Sequence, residues 1–271
     1  MTPEHNAFPL PPWQHNDAGE LRKVGVELEL SGLDIDHLAR ITADYLGCRI
    51  QQTSRYERTL QGDPAGDWVV ELDFRLLKKL GREQRQSDDL GDELLTSAEG
   101  LIKWVAESLV PHELVSPPLP MDRLWQINEI IDLLRQAGAK GTADRVTNAF
   151  GMQFNPEVPS CDAQTIGAYL KAFLCLYDWL AAEANINLAR RISPFVDPFP
   201  AAYIRHVVNP AYQPDMTTLI NDYLRANPTR NRALDMLPLF KHIDPALVAS
   251  YTSNSLIKAR PTFHYRLPTA S

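Results

Sequence analysis

The sequence is poor in cysteine, and its few cysteines are not arranged for bonding. Cys48, Cys161 and Cys175 are odd in number, widely spaced and set among apolar residues. This set predicts neither a disulfide framework nor a thiolate metal site, because both need paired or closely spaced cysteines. We therefore expect free thiols, and buried ones, since free cysteine is among the most often buried residues.

Positive charge and long apolar runs are also missing. The 271 residues carry a formal net charge of −7, and the isoelectric point is near 5.5. The chain therefore has no basic field to hold a phosphodiester backbone, and we expect no nucleic-acid partner. No apolar stretch approaches the roughly 20 residues that cross a bilayer, and residues 1–20 lack the pattern of a signal peptide. We expect a cytoplasmic protein with no membrane partner.

Common nucleotide and metal motifs are absent as well. The sequence has no GxxxxGK[ST] loop and no GxGxxG, so it predicts neither a P-loop nor a Rossmann nucleotide site. Its histidines show no HxH or HExxH spacing, which argues against zinc catalysis. A nucleotide would have to be held by carboxylates through a metal ion.

The remaining composition is that of an ordinary globular chain, 44% hydrophobic and 23% charged. Proline-rich residues 1–20 predict an extended arm, and residues 21–271 contain no linker or repeat that would divide them. We predict one α+β domain with a mainly antiparallel, curved sheet and flanking helices. The predicted strands are 22–31, two short strands within 48–61 that turn near Thr53 and Ser54, then 67–74, one that starts near Pro111, 146–158 and 260–268. The predicted helices are 35–46 between Asp34 and Gly47, 121–137, 162–184, 200–208, 215–226 and 245–257. For residues 78–100 we predict an exposed excursion, and residues 101–110 fit either a helix or a strand.

The stretch "RKVGVELELS" places two acids inside a strand pattern. Glu27 and Glu29 project from one face, because residues two apart share a face, while the valines and leucines between them point to the buried side. Two carboxylates so close repel each other unless a cation or a basic group compensates. Pairing with arginine on a solvated sheet face is the purely structural alternative.

Other strands repeat this device. "VVELDF" carries Glu71 and Asp73, and "PHELVS" carries Glu113, so three strands bring five carboxylates towards one face. Oxygen ligands without thiolates suit Mg²⁺ or Mn²⁺, and cations beside arginines are the means of phosphoryl transfer. The same alternation in "GMQFN" and "TFHYR" adds Gln153, Asn155, His264 and Arg266, and the further candidates for binding nucleotide phosphate are Arg190, Arg191 and Lys258.

Five segments together resemble a known family. "GVELEL", "WVVELD", "HELVSPPL", "GMQFN" and "ARPTFHYRLP", in this order, are similar to the amidoligases of the glutamine synthetase and glutamate-cysteine ligase superfamily. The resemblance covers about residues 22–268. It implies a fold like the glutamine synthetase catalytic domain, holding ATP and two or three Mg²⁺ ions. It also implies that a substrate carboxylate is phosphorylated by ATP and that an amine then attacks the acyl phosphate.

The resemblance assigns roles by position. Glu27 and Glu29 would divide between adjacent metal sites, with Glu29 also counted as catalytic, and Glu113 would be a further ligand. Glu71 and Asp73 would bind metal or substrate. Arg266 would contact the transferred phosphoryl group, and Arg260 would hold phosphate or a substrate carboxylate.

The chain departs from the superfamily pattern at three positions. Relatives usually carry histidine where Gln153 and Asn155 stand, and glutamate where His264 stands. We predict that Gln153 and His264 bind the same metal ion, which would make that metal site less negative. The departure also leaves open a degenerate relative that binds a partner without catalysis.

Two further matters stay open in the sequence. A hydrolase with Glu27 and Glu113 as acid and base is an alternative, although it accounts for neither the five carboxylates nor Arg266. The expected partners are a small-molecule or peptide carboxylate and an amine, of unknown identity. A homo-oligomer is neither indicated nor excluded.

Overall fold

A computed structural model describes residues 9–72, 112–141, 150–183, 197–266 and 269–270, and the statements below concern these. The chain is α+β, and every strand pairing with a resolved register in the described ranges is antiparallel, as predicted. The strands are β1 Lys23–Ser31, β2 Arg49–Ser54, β3 Glu57–Gln61, β4 Trp68–Leu72, β5 His112–Val115, β6 Leu119–Pro120, β7 Lys140–Gly141, β8 Phe150–Pro156, β9 Leu234–Asp235, β10 His264–Tyr265 and β11 Thr269–Ala270; the helices are α1 Ile35–Leu46, α2 Trp125–Gln136, α3 Ala163–Glu183, α4 Ala201–Val208, α5 Met216–Ala226, α6 Leu237–Ile243 and α7 Pro245–Tyr251.

The chain divides into two compact units, whose boundaries fall inside β1 and β8. The first unit comprises Met1–Gly25, Leu119–Arg123 and Met152–Thr269. The second unit comprises Val26–Pro118, Leu124–Gly151 and Ala270–Ser271.

The second unit is built on an antiparallel sheet in the order β2-β3-β4-β5-β1. One face is apolar, because Leu28, Leu114 and Val70 are register partners on adjacent strands and all three are buried. Helix α1 packs against this sheet and against α2, and the Tyr45 hydroxyl donates to Glu129 at 2.7 Å between the two helices. The opposite face is left for polar side chains.

Both predicted ends of α1 are confirmed. The Asp34 carboxylate accepts from the His37 backbone N–H at 2.8 Å, so it caps the helix, and Gly47 ends it with φ at +68°. Helix α2 begins later than predicted, at Trp125, after a single 3₁₀ turn at Met121–Arg123. The Met121 N–H is bonded to the Arg22 carbonyl, which holds this segment beside β1.

The first unit is mainly helical around an aromatic core. Tyr223 is fully buried and makes edge contacts with Phe199, Tyr203 and Phe240. In the same unit, β10 pairs with β8 through Tyr265 and Phe154, and with β9 through His264 and Asp235. The Tyr223 hydroxyl donates to the Leu234 carbonyl, so the aromatic core contacts β9 directly.

The end of the proline-rich arm is fastened to the first unit by a buried arginine. The Arg22 guanidinium donates to the carbonyl oxygens of Trp13 and Glu157. The Glu157 carboxylate in turn accepts from the Lys23 N–H and from the Asn16 amide. The arm therefore shares a hydrogen-bond network with the strand that follows it.

Several predicted elements need correction. The strand predicted at 260–268 is regular only at His264–Tyr265 within the described part. The Arg260 N–H bonds to the Pro238 carbonyl, and Thr262 makes only an isolated antiparallel bridge to Glu157. Helix α7 ends at Tyr251 and not near residue 257, because the backbone of Thr252 is extended. Helix α6 was not predicted from the sequence. The turn predicted at Thr53 and Ser54 lies two residues later. Residues 78–110 lie outside the described residues.

The three cysteines are free, as predicted, but the prediction that they are buried is wrong. Cys175 lies on the exposed side of α3, and Cys48 and Cys161 are half-buried. In the described part of the chain, no helix combines the length and apolar character needed to cross a membrane.

Candidate functional site

A row of carboxylates crosses the polar face of the second unit. Glu29 on β1 is the register partner of Glu113 on β5, and Glu113 is the partner of Glu71 on β4. Glu71 is in turn the partner of Glu57 on β3. Directly opposed side chains share a face with Cβ atoms about 4.5–5.5 Å apart. Four adjacent strands therefore each place one glutamate in this carboxylate row.

Glu27 lies on the same face, one pair along β1, in register with Val115. Glu113 is only 1% exposed and Glu27 is 8% exposed, so neither carboxylate is well solvated. Buried carboxylates are costly without compensation. Four of these glutamates are known to take part in hydrogen-bonding or electrostatic interactions, namely Glu27, Glu29, Glu71 and Glu113.

Gly151 makes room for one member of the row. A Cβ atom at this position would lie 3.0 Å from Glu29 Oε2 and 3.2 Å from Glu29 Cβ. Contacts at that distance would force the carboxylate to move. A glycine at 151 is therefore part of how the chain places Glu29.

The carboxylate oxygens of the row are suitable ligands for a hard divalent cation, but their side chains are not arranged around a common point. Carboxylate oxygens are the ligands that Mg²⁺ and Mn²⁺ prefer. Over the described ranges, however, no three His, Cys, Asp or Glu side chains lie close enough together to hold a metal ion. The register fits cation binding, and the carboxylates would have to rotate towards a common point to bind one.

In the first unit, Gln153 and His264 contact each other directly. The His264 Nε2 and the Gln153 Oε1 are 2.7 Å apart, and His264 is buried. The amide oxygen can only accept, so Nε2 carries the proton in this hydrogen bond. The two residues predicted to share a metal ion are therefore neighbours, but they are joined by a hydrogen bond. Asn155 is also buried, on the same strand as Gln153.

An arginine cluster surrounds a buried aspartate in the same unit. Asp235 is 0% exposed, and its Oδ2 lies 3.6 Å from Arg266 Nη2 and 3.7 Å from Arg230 Nε. Burial raises the pKa of Asp235 to about 6, although Arg266, the Leu237 N–H, Arg230 and Arg260 act to lower it. We use "arginine cluster" for Arg230, Arg260 and Arg266 around Asp235.

The predicted residues thus fall into separate groups. Glu27, Glu29, Glu71 and Glu113 share one sheet face of the second unit, while Arg260 and Arg266 both act on Asp235 in the first. Lys258 is exposed, and nothing in the described contacts links it to either group. Asp73, Arg190 and Arg191 lie outside the described residues.

Sequence reasoning missed Glu57, Arg230 and Asp235. Glu57 becomes visible only when the register of the β3–β4 pair is known. Asp235 lies in a two-residue strand, which is too short to show an alternating pattern. The only signal in the stretch "TRNRALD" is that two arginines and an aspartate lie close together in sequence.

The comparison with family models matches residues 20–271, nearly the whole chain, to a family described as "Putative amidoligase enzyme". The chain belongs to this family, whose description is that of an amide-forming ligase. The resemblance drawn from the five sequence segments is therefore confirmed at the level of the family. Comparison with curated proteins and with solved structures gives no significant match.

Proposed function

We propose that the protein is an ATP-dependent carboxylate-amine ligase that requires Mg²⁺ or Mn²⁺. The observation that carries the proposal is the in-register carboxylate row in a chain that belongs to the amidoligase family. The proposed fold is that of the glutamine synthetase catalytic domain, which is consistent with antiparallel strands that carry carboxylates on one face.

The proposed reaction has two steps. The γ-phosphoryl group passes from ATP to an oxygen of the substrate carboxylate, which gives ADP and an acyl phosphate. The amine nitrogen then attacks the acyl carbon, the C–N bond forms, the bond to the phosphate oxygen breaks, and inorganic phosphate and a proton leave. The acid is an amino acid or a peptide in this proposal.

The carboxylate row and Glu27 would hold the divalent cations, whose chemistry is to bind and neutralise phosphate oxygens. Glu113 would be a ligand at the centre of the row, because it is buried and flanked by Glu29 and Glu71. Arg266 and Arg260 would stabilise the charge of the transferred phosphoryl group. In the described part of the chain, the buried Nε atoms of these two arginines have no hydrogen-bond partner, which supports a role in binding a ligand.

The test is ADP release in mixtures of carboxylates and amines with ATP and Mg²⁺. We expect ADP, not AMP, and only when both an acid and an amine are present. Glu29→Gln should abolish release without unfolding the protein, since it removes a like charge and keeps the shape. Glu183→Gln, at the exposed end of α3, is the matched control and should behave as wild type. ADP release that persists undiminished in Glu29→Gln would refute the proposed role of the row.

The shared metal site of Gln153 and His264 is part of this proposal and has its own test. Mn²⁺ is paramagnetic and broadens the NMR signals of nearby nuclei. We expect Mn²⁺ to remove the His264 imidazole signal while the signal of His206, an exposed histidine bonded to Asp222, persists. A His264 signal that stays sharp when Mn²⁺ is bound would show that this histidine is not a ligand.

A second candidate is a degenerate, non-catalytic member of the family that binds a partner. The direct hydrogen bond between Gln153 and His264 favours it, because the pair satisfies one polar atom of each residue without a cation. This candidate predicts weak or no thermal stabilisation by ATP with Mg²⁺, and no ADP release with any mixture.

A further inference from the structure

Helix α3 buries one of its faces and exposes a second apolar face. The inner face packs into the core of the first unit through Ile166, Leu170 and Phe173. The outer face carries Trp179, which is 58% exposed, and Leu176, which is 48% exposed. Large apolar side chains that lie together in water are typical of a docking surface. The outer face of α3 is therefore a candidate surface for a partner.

The exposed residues of α3 follow the spacing of a coiled coil. Intervals of four, three, four and three residues separate five exposed, uncharged residues, which we call the α3 stripe: Ala168, Ala172, Cys175, Trp179 and Ala182. A strict repeat of this kind forms a narrow seam along which two helices pack side by side. The α3 stripe therefore fits another helix as its partner.

The sizes of the side chains make the α3 stripe complementary to itself. When two copies of α3 pack antiparallel, their intervals of three and four residues match only if a positions face d positions. This alignment places Trp179 opposite Ala168 of the second copy, and Cys175 opposite Ala172. Each larger side chain then meets an alanine, as in a well-packed seam. A two-fold axis repeats both contacts, so one surface serves both copies.

The charges beside the α3 stripe favour the antiparallel direction. Lys171 and Asp178 flank the stripe on one side, and antiparallel packing brings Lys171 near Asp178 of the second copy. Parallel packing would instead bring Asp178 near Glu183, which has the same charge. The known acceptors of the Lys171 ammonium group are the carbonyl oxygens of Asn209 and Tyr212, which are neutral. The charge of Lys171 therefore still attracts a carboxylate.

The size of the surface sets the expected strength of association. Helix α3 has 21 residues, so it is about 31 Å long. The exposed part of Trp179 amounts to roughly 90–150 Å², given that a tryptophan buries about 150–250 Å². With only one other large exposed residue, the surface falls short of the roughly 800 Å² that each partner buries in a standard interface. We therefore expect a weak dimer that dissociates on dilution.

We propose that the α3 stripe is a homodimer surface, on which α3 of a second copy packs antiparallel across a two-fold axis. Leu176 covers one edge of the seam. The inference goes beyond the proposed ligase function and does not depend on it, because the α3 stripe contains no residue of the carboxylate row or of the arginine cluster.

Analytical ultracentrifugation of the full chain with reductant, from about 5 to about 500 µM, measures the association. We expect a monomer at the low end and mainly dimer at the high end. Trp179→Glu and Leu176→Glu should each weaken association about tenfold or more, because a charge would enter an apolar seam. Leu256→Glu is the matched control and should change nothing, since Leu256 is 57% exposed in the same unit but lies outside α3.

Asp178→Lys tests the direction of packing, because the two directions predict opposite changes. In an antiparallel dimer the new lysine lies near Lys171 of the second copy, so association should weaken several-fold. In a parallel dimer it lies near Glu183, so association should strengthen. Asp44→Lys, at an exposed position of α1, makes the same change in net charge and is the control.

Oxidation with copper–phenanthroline tests which residues face each other. Ala172→Cys should give a covalent dimer, because Cys175 of the second copy lies opposite, and a disulfide forms only between closely placed residues. Ala168→Cys is the matched variant on the same face and should cross-link much less, since Trp179 lies opposite. Peptide mass spectrometry identifies the cysteines that are joined.

A chain that stays monomeric at the highest concentration overturns the proposal, whether the chain's own residues or a different partner then covers the α3 stripe. A dimer that persists in both Trp179→Glu and Leu176→Glu uses another surface and also overturns it. Tighter association of Asp178→Lys than of Asp44→Lys, or equal cross-linking at 168 and 172, overturns the antiparallel arrangement. If one of the glutamate variants fails to fold, the other variant and the cross-links still decide the outcome.

Discussion

The two units contain charged clusters of opposite sign, and these clusters are assembled differently. In the second unit, regular strands in register place Glu29, Glu113 and Glu71 in one row. In the first unit, a two-residue strand and the segments around it bring Arg230 and Arg266 to Asp235. In a regular strand, the alternation of polar and apolar residues shows which side chains share a face. Short irregular segments have no such pattern. The following variants test this difference between the units.

The largest effect is expected at the centre of the carboxylate row. Glu113→Gln should lower the rate of ADP release by about a hundredfold or more, the magnitude typical for loss of a group that acts electrostatically at the reaction centre. Stability should not fall, because a like charge leaves a crowded row. Glu57→Gln, at the edge of the row, should have a much smaller effect. Equal losses in both variants would show that the whole row takes part.

The next effect concerns pH and the first unit. The pKa of Asp235, about 6, lies above its ordinary value of 3.8. Between these two pKa values, the folded state keeps the Asp235 proton while the unfolded state has lost it. The contribution of Asp235 to the free energy of unfolding is therefore fully present below about pH 4 and is lost as the pH rises through about 6. Two pKa units correspond to about 3 kcal/mol. We expect wild type to lose stability relative to Asp235→Asn by an amount of this order between pH 4 and pH 7.

Denaturant unfolding at several pH values measures this difference. A constant difference between wild type and Asp235→Asn over the range would mean that Asp235 has the same pKa in both states. It would also weaken the contrast between the units, since the arginine cluster would then fully offset the burial of its carboxylate.

A smaller effect is expected at Gly151. Gly151→Ala places a methyl group 3.0 Å from Glu29 Oε2, so the carboxylate must shift and ADP release should fall about tenfold. Gly167→Ala is the control: this helical glycine has open space around its Cβ position, and the substitution should leave activity unchanged and add about 1 kcal/mol of stability. Full activity in Gly151→Ala would mean that the exact position of Glu29 is unimportant.

The smallest effect is expected at a helix cap beneath the carboxylate row. Asp34→Ala removes the hydrogen bond to the His37 N–H and should lower the free energy of unfolding by about 1 kcal/mol. Thermal unfolding measures the loss, and ADP release at a temperature where the variant is folded should match wild type. Lost activity in a folded Asp34→Ala protein would link α1 to the site on the far face of the sheet.

The same contrast explains how much could be predicted. The alternation of acids with valine and leucine correctly placed Glu27, Glu29, Glu71 and Glu113 on one face, because every second residue of a strand shares a face. Glu57 was missed because cross-strand register depends on the exact turn, and the turn was placed two residues too early.

The charged residues of the first unit were harder to predict from the sequence. Asp235 and Arg230 are separated from Arg266 by about thirty residues, and only the fold brings them together. Arg230 and Arg232 look alike in sequence, yet one faces Asp235 and the other is fixed by Asn227 and Pro198. Their different roles are set by tertiary contacts that no local pattern encodes.

The buried guanidinium of Arg22 has a practical consequence for handling the protein. The Arg22 guanidinium donates to the Trp13 and Glu157 carbonyls. A chain shortened to begin between residues 14 and 22 would lose the Trp13 acceptor and leave this buried guanidinium with fewer hydrogen bonds. Shortened proteins should therefore keep Trp13, and an affinity tag with a cleavable spacer belongs ahead of it. A cleavage site placed after Trp13 would release a protein in which the Arg22 guanidinium lacks its Trp13 acceptor.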